Sequence, residues 1–260
     1  MLFGSERIVF NVMTAQDISE LLAKADAGDP EALLRLGQCH DRGDGVPQDA
    51  AVAVRLIVAA AQKGLPAAQG SLGVRYAKGR GVDRDIAEAA RWLRSAAGQG
   101  DARAAYNLSR LQLSGAITEL SPGEAVSWLQ KAAASGLPVA QLAYGIVLYA
   151  GAGSMDDKAS AAQWIFAAAK NGLADAQYQL ALMLDIGEGV ERDPALAVEW
   201  LELAVAQGHT QAKLCLGRLL EMGANGVARN PARARLLFSE AAESGQPEAL
   251  EALASCGDRD

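Results

Sequence analysis

The chain has 260 residues, half of them apolar by type and only 5% aromatic, and a formal net charge of −7. That length and apolar content suffice for a continuous core without a disulfide or metal staple, and an alanine-rich, aromatic-poor makeup favours helix packed on helix over a sheet sandwich. The negative field disfavours nucleic acid, since Arg and Lys alternate with Asp and Glu along the chain and no basic run stands out.

Residues 1–13 read as an irregular arm. Glu6 and Arg7 interrupt the apolar run there, which falls short of the roughly 7–15 residues of a signal-peptide core. No stretch approaches the roughly 18 apolar residues of a membrane span, so no membrane insertion is expected. The cysteines are Cys39, Cys215 and Cys256, an odd number without a C-x-x-C pair, which points to free thiols in a reducing compartment. These features together predict a soluble, cytoplasmic protein.

Thr14 to Ala27 reads as a lone helix that caps the first repeat unit. From there one period governs the chain. Glycine recurs every 36 residues at Gly28, Gly64, Gly100, Gly136, Gly172 and Gly208, and then one residue late at Gly245, after an extra residue in Gly223-Ala224-Asn225-Gly226. The four tryptophans, Trp92, Trp128, Trp164 and Trp200, keep the same spacing, with Leu56 and Leu237 in their place at either end. Alanine recurs four residues after each glycine, from Ala32 to Ala249.

Each period predicts two helices. The first opens at Asp29-Pro30, Leu65-Pro66, Leu137-Pro138 or Gln246-Pro247, since proline at the first helical position forfeits no useful donor. Leu36-Gly37, Leu72-Gly73 and Leu216-Gly217 fall mid-helix, where glycine costs about 1 kcal/mol against alanine and implies close approach of a partner backbone. Ser109 and Ala181 take that place in two units. The first helix ends at Gly43, Gly79, Gly115, Gly151, Gly187 or Gly223, the residue suited to a left-handed cap. The second is capped by Asp49, Asp85, Asp157, Asp193 or Asn230, and in the third unit by Ser121 with Glu124 in capping-box register. Ala89, Trp92, Ala96 and Ala97 share one face, which assigns the recurring tryptophan to packing. Pro247 to Ser255 reads as a final capping helix. The resulting division is an arm and capping helix over 1–27, one solenoid of six full repeats plus its end helix over 28–256, and a tail over 257–260.

The sequence carries no recognisable chemical motif. His40 and His209 lie in no zinc spacing, Gly79-Arg80-Gly81 lacks the third glycine and the strand of a dinucleotide fold, and no G-x-S-x-G elbow occurs. His40 holds the packing position of Tyr76, and His209 is expected in a solvated loop. No metal, cofactor or catalytic residue is assigned.

The run Leu72, Gly73, Tyr76, Gly79, Gly81, Val82, Asp85, Ala89, Trp92, Leu93, Ala96, Ala97 resembles the Sel-one-like (SLR) repeat family, a relative of the tetratricopeptide repeats, over about residues 28–256. The resemblance implies an all-α, right-handed α/α superhelical solenoid of 36-residue helix-turn-helix repeats with a concave inner surface. It also implies a non-enzymatic scaffold or adaptor that binds another protein, as a bacterial regulator or a toxin-neutralising immunity protein. The alternative is a β-lactam-type small-molecule binder or hydrolase, whose subgroup carries a regular cysteine pair in each repeat that this chain lacks.

By analogy with tetratricopeptide stacks, the first helix of each pair lines the groove. That places Val74, Tyr106, Arg110, Leu113, Leu142, Ile146, Tyr149, Tyr178, Leu182, Asp185, Ile186, Arg218 and Glu221 at the partner-binding surface. Two readings stand for the apolar members. They face a partner, or superhelical winding or self-association buries them. The loops Ser114-Gly115-Ala116-Ile117-Thr118-Glu119 and Gly151-Ala152-Gly153-Ser154-Met155 depart from the repeat, through drift or through shaping for a partner. The partner's identity and any homo-oligomer are left open by the sequence.

Overall fold

A computed structural model describes residues 14–117, 121–151, 154–223 and 226–257. The expected arm over 1–13, Thr118 and Glu119, Ala152 and Gly153, the inserted Ala224-Asn225, and 258–260 of the tail lie outside the described residues. Among the described residues there are fourteen α-helices and no strand. Helix pairs repeat along the chain as an all-α solenoid. Its internal packing divides it into two compact units, one ending at Trp128 and the other beginning at Leu129. Within each unit consecutive helices pack on one another, as those from Pro30 to Leu113 and those from Pro138 to Gly257 do.

The first unit holds α1 (Ala15–Asp26), α2 (Pro30–Arg42), α3 (Ala50–Gln62), α4 (Pro66–Lys78), α5 (Ile86–Gly98) and α6 (Ala102–Leu113). It ends within α7 (Pro122–Ala134). Thr14 caps α1, accepting the Asp17 amide at 3.2 Å, while Asp17 accepts the Thr14 amide at 2.8 Å. Asp29, Asp49, Asp85 and Asp101 cap α2, α3, α5 and α6 through their carboxylates. Gly43 and Gly79 close α2 and α4 in the left-handed conformation, as their positions predict.

The second unit holds α8 (Pro138–Ala150), α9 (Met155–Lys170), α10 (Ala174–Ile186), α11 (Pro194–Ala206), α12 (Thr210–Met222), α13 (Pro231–Glu243) and α14 (Pro247–Gly257). Two expectations fail here. Gly151 ends α8 at φ −92, not left-handed. Ser154, not Asp157, caps α9; Asp157 sits three residues inside and completes a capping box, so this loop is shorter and its helix longer than in the other repeats.

Close backbone approach is what the mid-helix glycines provide. A Cβ on Gly73 would lie 2.7 Å from Leu93 Cγ and 3.0 Å from the Ala89 carbonyl oxygen; on Gly217 it would lie 2.5 Å from Phe238 Cε1. The residue after each tryptophan position is the deep one: Ile57, Leu93, Leu129, Ile165, Leu201 and Phe238 are all buried. Each such side chain contributes roughly 1.5–3 kcal/mol of burial. The tryptophans are half-buried beside them, as with Trp92 in the first unit's core and Trp200 in the second's. Buried Gln69 and Gln177 donate to the carbonyls of Ala61 and Ala169 at 3.2 and 3.3 Å, tying each first helix to the pair before it.

Candidate protein-interaction surface

The predicted groove residues all sit on first helices, but they divide between the units. Val74, Tyr106, Arg110 and Leu113 belong to the first; Leu142, Ile146, Tyr149, Tyr178, Leu182, Asp185, Ile186, Arg218 and Glu221 belong to the second.

In the first unit, Val74 is half-buried and lines two adjoining hollows on the α4 and α6 surface. Tyr106 is half-buried and carries the Arg110 guanidinium 5.6 Å from its ring centroid. Leu113 is exposed at the end of α6.

In the second unit, Ile146 and Ile186 are exposed, at 45% and 61%. Leu142 is partly buried against the core. Tyr149 is half-buried; its hydroxyl donates to the Glu188 carboxylate, which also pairs with Lys158, and the Lys158 ammonium lies 5.6 Å from the Tyr149 ring centroid. The hydrogen bonds from Lys158 and then Tyr149 hold the Glu188 carboxyl below its ordinary pKa. Tyr178 stacks on His209 with centroids 4.9 Å apart, and the Cys215 thiol lies 3.9 Å from its hydroxyl. Burial, then the neighbouring Cys215, pushes the Tyr178 phenol up to about 12. Leu182, Asp185 and Arg218 are brought together with Cys215, Leu219 and Met222 around a hollow of about 180 Å³. Glu221 is half-buried near the end of α12.

His209 is not the solvated loop residue expected. Its side chain is 15% exposed and caps α12, with Nδ1 accepting the Ala212 amide at 3.1 Å and Nε2 3.2 Å from Asp175. Cys39 is buried, and burial raises the thiol pKa at both Cys39 and Cys215. Among the described residues no group of three or more His, Cys, Asp and Glu is arranged to hold a metal. No described helix is long and apolar enough to cross a membrane.

Two features escaped the sequence reading. On the second helices of the second unit, Phe166, Leu196 and Trp200 line an apolar hollow of about 310 Å³, with Phe166 and Trp200 in edge-to-face contact at 6.0 Å. Phe166 stands where other repeats carry Arg94, Gln130 and Glu202, so it left no periodic signal. In addition, Met222 repeats the position of Ile186 and is exposed at 65%; the 36-residue register alone would have found it.

Six consecutive segments, residues 30–65, 66–101, 102–137, 138–173, 174–209 and 211–246, match the Sel1 repeat. The chain belongs to the Sel1 repeat family. Sel1 repeats are commonly protein-interaction modules. A protective antigen present in uropathogenic Escherichia coli strains, displaying an SLR fold, matches with a TM-score of 0.82 at 30% identity, over 94% of this chain and 52% of that one. The present chain thus spans about half the length of that relative. A Sel1 repeat protein from Oxalobacter formigenes matches with a TM-score of 0.76 at 29% identity, over 87% of this chain and 90% of that one. The immunity protein PA5088 from Pseudomonas aeruginosa, at 20% identity and a TM-score of 0.52 over 84% and 83% of the two chains, shares the fold. No curated protein matches the sequence.

Proposed function

We propose that this Sel1 repeat chain is a non-enzymatic scaffold that binds a partner protein on its first-helix surfaces. The observation that carries the reading is the row of large apolar side chains left open on the first helices of the second unit: Ile146, Ile186 and Met222 are 45%, 61% and 65% exposed. Leaving such side chains in water forfeits the burial energy they would gain against a partner. On the same helices the Tyr149 hydroxyl is held by Glu188 and the Tyr178 ring is stacked on His209, rigid aromatics of the type that dominates interface energetics. The chemistry of the cysteines supports a binding role, since both described thiols have raised pKa values that disfavour a nucleophilic thiolate.

Within this reading the chain is a bacterial, cytoplasmic adaptor or an inhibitor of the immunity kind. The free thiol at Cys215 supports the reducing compartment, and the fold shared with PA5088 supports the architecture an immunity role uses. The test is affinity capture from native lysate with Ile146→Asp and Ile186→Asp, beside Phe166→Asp on the second-helix surface. The first two lose the captured protein with helical content unchanged, while Phe166→Asp keeps it. Loss only with Phe166→Asp moves the interaction to the second helices, and turnover of β-lactams or esters by the purified chain would replace the scaffold reading with an enzymatic one.

A further inference from the structure

The linear sequence shows no basic run, yet folding assembles one. In the first unit, α2, α4 and α6 enclose a hollow of about 370 Å³ whose wall includes Arg75, Lys78, Arg80 and Arg103. An adjoining hollow of about 230 Å³ shares Val74, Lys78 and Asn107 with it and adds Arg110. Arg75, Lys78 and Arg80 lie within six residues at the end of α4 and in the loop after it, and α6 of the next repeat adds Arg103 and Arg110 from more than twenty residues further on.

The cations outnumber the local carboxylates, and those carboxylates are already engaged. Only Asp41 and Asp101 line the two hollows. Asp41 is paired with Arg75, and an Asp101 oxygen accepts the Ala104 amide at 2.8 Å. Lys78, Arg80 and Arg103 are exposed, and no hydrogen bond or ion pair holds their side chains among the described residues. Arg75 itself is 5% exposed, and its Nε has no acceptor. Asp41 already neutralises Arg75, and the Arg75 Nε is out of contact with solvent, so the charges the hollow offers a ligand are those of the exposed Lys78, Arg80 and Arg103. Burial and then the Arg80 charge push the Arg75 pKa below its ordinary value.

We propose that this hollow binds a short acidic polypeptide segment, taking the Asp or Glu carboxylates of a partner on Lys78, Arg80 and Arg103. The proposal deepens the scaffold reading and rests on it. Charge complementarity selects the occupant: a local excess of cations on a chain of net charge −7 attracts a short anionic segment at close range. Nucleic acid is the poorer fit. No aromatic side chain lines either hollow to stack a base, and the chain's overall charge repels a long polyanion.

The experiment uses the full chain and fluorescence polarisation of a labelled peptide alternating Glu and Ala, at low salt. Comparison ligands are the same peptide with Gln for Glu, the same peptide with phosphoserine for Glu, and an oligouridylate. The Glu peptide binds, the Gln peptide does not, and added salt weakens binding. Lys78→Glu with Arg103→Glu lowers affinity by at least roughly tenfold. Arg55→Glu with Arg235→Glu reverses the same amount of charge at exposed sites that line neither hollow, and leaves affinity within about twofold. Equal loss from both pairs of variants, or equal binding of the Gln peptide, overturns the proposal. So does tighter binding of the phosphoserine peptide or of the oligouridylate. Because partner capture through Ile146 and Ile186 is read separately, a peptide that fails to bind beside a capture that those variants abolish retires this inference alone. A peptide that binds the hollow beside a capture they leave intact retires the second unit's surface alone.

Discussion

Gly189 offers the sharpest test of how tightly the loops of the second unit are seated. It lies beside Glu188, whose carboxylate joins Tyr149 to Lys158. Its φ is +74, and an added Cβ would lie 2.5 Å from the Lys158 carbonyl oxygen and 2.7 Å from the carbonyl carbon. Gly189→Ala therefore carries two costs. The left-handed backbone costs an L-residue about 1–2 kcal/mol. The clash is with backbone on α9, which cannot rotate away, and overpacking of this kind costs about 1–3 kcal/mol. Gly208 in an inter-repeat turn isolates the first cost: its φ is +82, but nothing lies within 4 Å of an added Cβ. Gly208→Ala should lose about 1–2 kcal/mol and Gly189→Ala about 2–5 kcal/mol, since any gain from restricting the unfolded chain is common to both. Thermal melting followed by circular dichroism should place Gly189→Ala roughly 2–12 °C below Gly208→Ala. Equal melting of the two variants would refute the argument that close contact with the Lys158 carbonyl, over and above backbone handedness, demands glycine at 189.

Three further outcomes are expected. Gly217→Ala destabilises by forcing its methyl against Phe238, and adding Phe238→Leu recovers part of the loss, because Ala181 and Leu201 fill the same repeat positions within one core; a denaturation double-mutant cycle should show coupling of about 0.5–3 kcal/mol. Asp41→Ala strands the buried Arg75 charge and costs about 3–5 kcal/mol, whereas Arg75→Met frees Asp41 toward solvent and costs less; urea melts that rank them the other way would show that the pair is not held by burial of the arginine. Tyr178 ionises only near 12, above the ordinary 10 of a tyrosine, so its protonated form adds stability that is fully present below pH 10 and is lost as pH rises toward 12; Tyr178→Phe should remove the late phase of an ultraviolet titration and flatten the alkaline fall in stability.

The repeat register was legible because it is written in residues whose roles are local. Asp49, Asp85, Asp193 and Asn230 announce helix starts through their own hydrogen bonds to nearby amides, and Gly43, Gly79 and Gly187 announce helix ends through their own backbone angles. Where a loop departs from the consensus the same local logic misleads: the repeat register assigns Asp157 the cap that Ser154 provides. The tryptophan series marks the right helix face, but its neighbour, from Ile57 to Phe238, takes the deepest place; periodicity gives a face, and the small residue opposite, whether glycine, Ser109 or Ala181, lets that neighbour sit deep.

The sequence by itself determined the helix pairs, their period and the first-helix positions from which a surface is built, because hydrogen-bond caps and apolar spacing act over a few residues. Only the tertiary structure decided which of those positions stay open, that Ile186 and Met222 are exposed while Leu142 leans on the core, and that His209 is seated against Tyr178. It alone set Arg103 beside Arg75, Lys78 and Arg80 around one hollow. Charges distant along a chain act on one another according to their separation in space, and that separation is set by packing of whole repeats rather than by any stretch of residues.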